Sequence, residues 1–145
     1  MKVFVYFNLH KKVWSIKALE GESKGRVIGH AECVFLEDIN PKVSEAGRQR
    51  VIKEKRKNVH AGIVGTLKWV DRNSNLRDQF ADCDAYLLAL CSTPVTYNPY
   101  KYRNFVLKGQ HNAELLRADC ALFHASDRSV LVGGWACTIT KKQAA

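Results

Sequence analysis

A chain of 145 residues, 46% hydrophobic and 26% charged, is long enough to bury a core of its own as a single domain and too apolar to remain disordered. Lys and Arg outnumber Asp and Glu by 23 to 14, a formal net charge of +9 that favours polyanionic partners. No apolar run approaches the roughly 20 residues of a membrane-spanning helix, and the short run near the N-terminus cannot serve as a secretory signal, so no membrane partner and a cytoplasmic location are expected.

Five cysteines (Cys33, Cys83, Cys91, Cys120, Cys137) are odd in number and form no CxxC pair. That argues for free, buried thiols in a reducing compartment, and against a zinc ribbon or a disulfide framework. Residues 3–7 are apolar and aromatic without a break, the pattern of a strand buried on both faces. Residues 8–11 interrupt it, and residues 13–18 resume with Trp14, Ile16 and Ala18 alternating. An antiparallel hairpin with a short Asn8-bearing loop is expected there. Residues 20–25 (EGESKG) are a turn by composition. Residues 26–36 supply a third strand, kinked at Gly29, which Ile39-Asn40-Pro41 closes.

The densest charge follows in residues 42–57, KVSEAGRQRVIKEKRK, where seven basic side chains stand against two acidic ones, a net +5 in sixteen residues. Ser44 suits a helix N-cap, because its hydroxyl accepts from a first-turn amide. Glu45 then sits at the positive end of the helix dipole and the basic residues crowd the negative end. Val51 and Ile52 fall on one side of that helix, with Arg50, Lys53 and Lys57 as a stripe opposite. Asn58 is the expected left-handed C-terminal residue. Residues 61–70 return as a strand and 71–75 as a loop. Leu76, Phe80, Cys83 and Leu87 recur at helical spacing, so a second short helix from about Ser74 is expected, although residues 85–91 fit a buried strand equally. The last third reads as all-β: residues 95–107, 118–124 and 129–139, with a hairpin turn at Asp127-Arg128 and a flexible tail at 141–145.

Three polar clusters can carry chemistry: Asn8, His10, Lys11 and Lys12; Arg48 to Lys57 with Asn58 and His60; and residues 96–105, TYNPYKYRNF. The last interleaves rings with cations, the combination that stacks on bases and reaches phosphates. On a strand, however, Tyr100 and Tyr102 share one face while Lys101, Arg103 and Phe105 share the other. His10 and His60, with Lys11, make up an alternative acid–base set for metal-independent RNA cleavage. No HExxH or phosphate-loop pattern is present, so neither a metal site nor a cofactor is expected.

At NLHKKVWSIKALEG, SEAGRQRVIKEKRKNVHAGIVG and VTYNPYKY the sequence resembles small accessory proteins encoded by tailed bacteriophages. The resemblance covers roughly the first 65 residues and 95–106, and leaves 67–92 as a candidate insertion. It implies a product acting in the cytoplasm of an infected bacterium, in host takeover or counter-defence, and carries over no functional residues.

The expected fold is α+β: a single domain, residues 1–145, with a curved antiparallel sheet, one basic surface helix and a second short helix. The expected function is non-catalytic binding of nucleic acid or a phosphate-bearing nucleotide. Arg48, Arg50, Lys53, Arg56 and Lys57 would contact phosphate, helped by Asn58, His60, Lys101 and Arg103, while Tyr100 or Tyr102 would stack. Two alternatives are the ribonuclease with His10, His60 and Lys11, and an inhibitor whose basic helix docks on a host protein with an acidic surface. A homo-oligomer is compatible with each.

Overall fold

The structure is a computed structural model that describes residues 1–55, 57, 59–71, 74–76, 91–108, 113–133 and 138–141. Its first hairpin follows the alternation of small, β-branched and aromatic side chains. Strand β1 (Lys2–Asn8) pairs antiparallel with β2 (Val13–Ala18), Phe7 opposite Trp14 and Val5 opposite Ile16. The Asn8 side chain closes the loop by accepting from the amides of His10 and Lys11, both at 3.0 Å. Strand β1 is not buried on both faces: Val3 and Val5 point into the core, whereas Phe4 and Tyr6 stay half-exposed.

The single strand expected after Arg26 is two strands. Strand β3 (Val27–Ala31) pairs with β2, and β4 (Cys33–Val43) pairs with β5 (Ala61–Val70) on one edge and β8 (Ala113–His124) on the other. The break falls at Glu32, where Asp71 Oδ1 accepts from the amides of Glu32 (2.9 Å) and Cys33 (3.0 Å) and turns the chain from one neighbour to the other. Pro41 does not end β4. It lies opposite Ile63 in the ladder with β5, beyond Ile39, the last β4 residue paired with β8, so its missing N–H falls where that edge carries no partner strand. The bulge between Glu37 and Asn40, with Asp38 at φ 50°, re-aims the strand there.

Helix α1 (Glu45–Glu54) begins as expected, the Gly47 amide donating to Ser44 Oγ at 3.2 Å. It ends earlier. Lys55, at φ 54°, is the left-handed residue, so Lys57 lies outside the helix, and α1 itself carries three basic side chains against two acidic ones. The basic run therefore straddles the helix end. Asn58 and Arg56 lie outside the described residues, as do 77–90, where the second helix or strand was to be found.

The chain continues with β6 (Cys91–Thr96), β7 (Val106–Leu107), β8, β9 (Ser129–Gly133) and β10 (Thr138–Lys141). All pairings are antiparallel, and one ten-stranded sheet runs β3-β2-β1-β5-β4-β8-β7-β6-β9, with β10 on β8. The additional β8–β9 pairing closes β8, β7, β6 and β9 into a ring of ladders. Among the described residues the class is thus a single, mostly antiparallel sheet domain with one helix, more β than an even α+β balance. The expected strand over 95–107 is interrupted at 97–105, where Asn98 Oδ1 accepts from the Tyr100 amide (2.9 Å) and the Asn98 carbonyl from the Tyr102 amide (2.8 Å). The Asn-Pro step is a turn signal that outranks the aromatic run. The turn at Asp127-Arg128 is present, with the Ser129 amide donating to Asp127 Oδ1.

The main core lies on one face of the sheet around Val5, Trp14, Ile16, Val34, Leu36, Ile63, Leu115 and Phe123. A second cluster, Phe35 with Cys91, Cys120 and Leu122, fills the other face behind β4 and β8. Each such fully buried side chain is worth about 1.5–3 kcal/mol. Cys33, Cys91 and Cys120 form no disulfide among the described residues, and the last two, both buried, hydrogen-bond sulfur to sulfur at 3.0 Å; Cys83 and Cys137 lie outside the described residues.

Candidate ligand-binding cleft

Two adjoining cavities open where the β1 tip, the segment from α1 to β5, the 97–105 loop and the 125–128 turn meet. The outer cleft, about 570 Å³, has Lys55, Lys57 and Arg128 on its lining and, among the described residues, no carboxylate. The inner chamber, about 350 Å³, is walled by Trp14, Phe7, Tyr97, Phe105 and Phe123 with aliphatic strand residues between them. Tyr6, Phe7, Ala61, Tyr97 and Arg128 line both spaces. Both volumes fall in the range of small-molecule sites, about 300–1,000 Å³.

Local packing sets this geometry. Helix α1 presses close to the start of β5 because Gly47 has no side chain; a Cβ there would lie 2.6 Å from His60 Cβ. His60 faces the 97–105 loop, its Nε2 hydrogen-bonded to the Tyr97 hydroxyl at 2.6 Å. Tyr97 in turn packs on Phe105, with ring centroids 5.2 Å apart. Burial pushes the Tyr97 phenol up to about 12, against a smaller downward pull from Arg48, so it stays neutral at physiological pH. From rim to floor, the Arg128 guanidinium lies 4.6 Å over the Phe7 ring, Phe7 meets Trp14 edge-on at 5.2 Å, and Trp14 meets Phe123 at 4.9 Å.

Arg48, expected on the phosphate-reading face, is turned inward and only 9% exposed. Its Nε–H is shared between the carbonyls of Pro99 (2.9 Å) and Tyr102 (3.0 Å), and its Nη1 donates to Glu45 Oε1 (2.9 Å). It ties α1 to the loop and holds one wall of the cleft. Arg50 and Lys53 are exposed on α1, outside the cleft lining, as are Lys101 and Arg103 on the loop. Tyr100, 60% exposed, reaches the cleft; Tyr102 does not line it and contributes its carbonyl to Arg48.

His10 and Lys11 are not brought to His60 by any described contact. His10 is exposed at the hairpin tip and does not line the cleft. Lys11 Nζ instead lies 3.2 Å from His30 Nε2, whose Nδ1 is 3.0 Å from Ser15 Oγ. Burial, reinforced by Lys11, holds the His30 imidazole below its usual range. Arg128, Phe7 and Trp14 are cleft residues that reading along the chain misses, and Lys55, inside the Arg48 to Lys57 cluster, is not among the expected phosphate contacts. Only the tertiary fold brings residues 7, 14, 55 and 128 together, and no local pattern announces it. Among the described residues no three His, Cys, Asp or Glu side chains gather as a metal site, and no helix is long and apolar enough to cross a membrane.

A small antiparallel sheet protein with a cationic, ring-lined cleft is the class these features define. The chain belongs to the family described as Mycobacterium phage L5 gene 82 protein, whose profile matches residues 1–131. The Gene 82 protein of Mycobacterium phage L5 is 41% identical over 112 residues, covering 73% of this chain and 77% of that protein. The expected phage kinship holds, over a longer span than the two stretches that suggested it. No solved structure matches the chain.

Proposed function

We propose that this phage protein binds a phosphate-bearing nucleotide unit, free or as part of a single strand, without cleaving it. The supporting observation is the outer cleft, lined by Lys55, Lys57 and Arg128 with no carboxylate among the described residues of its lining, and sharing aromatic residues with the inner chamber. Cations without internal acidic partners attract phosphate, and aromatic faces stack on bases of any sequence. The exposed Arg50, Lys53, Lys101 and Arg103 extend the positive field around the cleft, and Tyr100 stands at its mouth. Binding is favoured over cleavage because the His60 Nε2 is engaged by a neutral Tyr97 and the described contacts supply no second imidazole beside it. In an infected cell such a module would serve takeover or counter-defence by sequestering or presenting nucleotides.

The reading is tested with labelled single-stranded RNA, single-stranded DNA, duplex DNA and nucleoside monophosphates, in chelator and across a salt series. Three phosphate contacts predict an affinity for single strands that falls with a log–log salt slope of about −2. Replacing Lys55, Lys57 and Arg128 together by Gln should flatten that slope. Failure to bind any of these probes, or binding indifferent to salt, would refute the reading. Shortened RNA in chelator would restore the His10, His60 and Lys11 alternative.

A further inference from the structure

Trp14, on the lining of the inner chamber, carries a polar group that has no partner among the described residues. Trp14 is 6% exposed, and its Nε1–H is buried with no hydrogen-bond partner among the described residues. Buried donors are nearly always paired, because stripping water from an N–H without replacing it opposes folding. Apart from Thr96, the described lining around this indole is apolar and aromatic, and the cation on it, Arg128, also lines the outer cleft.

We infer that the chamber takes one unpaired nucleobase, base inward and phosphate outward, with Trp14 Nε1–H donating to an acceptor on the base edge. This rests on the proposed nucleotide site and adds an orientation and a selectivity to it. The phosphate stays with Lys55, Lys57 and Arg128, while Tyr97, Phe105 and Phe7 enclose the ring. Because Nε1 itself is covered, the base reaches it by a side-chain shift. The half-buried Phe7 ring, wedged between Trp14 and Arg128, is the neighbour placed to make it. A base inside a duplex has its Watson–Crick edge paired and its faces stacked, so it cannot enter without being flipped out. The site therefore selects free nucleotides, strand ends and unpaired positions over duplex.

The test follows the indole N–H proton resonances by NMR, with Trp14 assigned from Trp14→Phe, while the protein is titrated with a nucleoside 5′-monophosphate and, separately, with ribose 5-phosphate. The inference predicts a downfield shift and slowed solvent exchange of the Trp14 N–H with the nucleotide and neither with the sugar phosphate. It also predicts that Trp14→Phe weakens nucleotide binding by about tenfold and leaves ribose 5-phosphate binding unchanged. Should that variant fail to fold, Trp14 is assigned by elimination from Trp69→Phe and Trp135→Phe, and its N–H resonance in the unmodified protein decides. Nucleotide binding with an unmoved Trp14 N–H would overturn the orientation and leave the cleft reading standing. No binding by the unmodified protein would overturn both.

Discussion

Arg48 separates two roles that its position in a basic run leaves confounded. If it were a phosphate ligand, Arg48→Ala would weaken binding and spare the fold; the structure predicts the reverse order of effects. One charged N–H is shared between two carbonyls of the 97–105 loop, at 2.9 and 3.0 Å, on a side chain only 9% exposed. A hydrogen bond from a charged donor is worth about 1.5–3 kcal/mol. The two carbonyls share a single hydrogen, so the pair counts as one such bond, and lost packing of the buried stem adds to it. Arg48→Ala should therefore cost about 2–3 kcal/mol, lowering the melting temperature by about 5–10 °C for a chain of this length. Thermal unfolding followed by circular dichroism reads this directly. Arg48→Lys should recover little, since one terminal ammonium cannot reproduce both the Nε–H held by the two carbonyls and the Nη1 contact to Glu45. Glu45→Gln should have a far smaller effect, because that carboxylate is 54% exposed. An Arg48→Ala protein that melts within about 1 °C of the unmodified chain would refute the inward placement.

Two further outcomes follow from the packing and the titration of the cleft. At Gly62, buried in β5, a Cβ would lie 2.6 Å from the Val5 carbonyl oxygen and against Phe4 Cζ. Gly62→Ala should then destabilise by about 1–3 kcal/mol, measured by urea unfolding; an unchanged midpoint would mean that β1 and β5 are not so closely packed. Tyr97 holds its proton more tightly folded, at about 12, than at its ordinary value of 10.0. Between those values the unfolded chain has lost a proton that the native protein retains, so stability should fall as pH rises from about 10 to about 12. Tyr97→Phe should remove that component, and identical alkaline profiles for the two proteins would contradict the buried phenol.

The parts of this fold that are legible along the chain are those whose cause is local. The β1–β2 hairpin announces itself by alternation around Trp14 and Ile16, and α1 by a Ser44 cap that the Gly47 amide meets. Where the cause is distant, reading the chain fails. Glu32 breaks β3 from β4 through Asp71, 39 residues away, and Pro41 is tolerated because β8 stops pairing at Ile39. The interruption at Asn98-Pro99 was readable, and the ring–cation alternation of TYNPYKY masked it. The site divides in the same way. Lys57, His60 and Tyr100 are recognisable from composition, whereas Phe7, Trp14 and Arg128 join them only once β1, β2 and the 125–128 turn share a wall. Charge density proved a poor guide to individual roles. Arg48 and Lys57 stand in one basic block, yet one is buried structure and the other lines the cleft.

The central claim is that a nucleotide occupies this cleft and not the open face of α1. Backbone amide NMR during titration with a nucleoside 5′-monophosphate tests it most directly. The account predicts shifts concentrated at Val59 to Ala61, at Tyr97, Asn98 and Tyr100, and at Arg128. Shifts confined to Arg50, Lys53 and their α1 neighbours, or none at all, would contradict it.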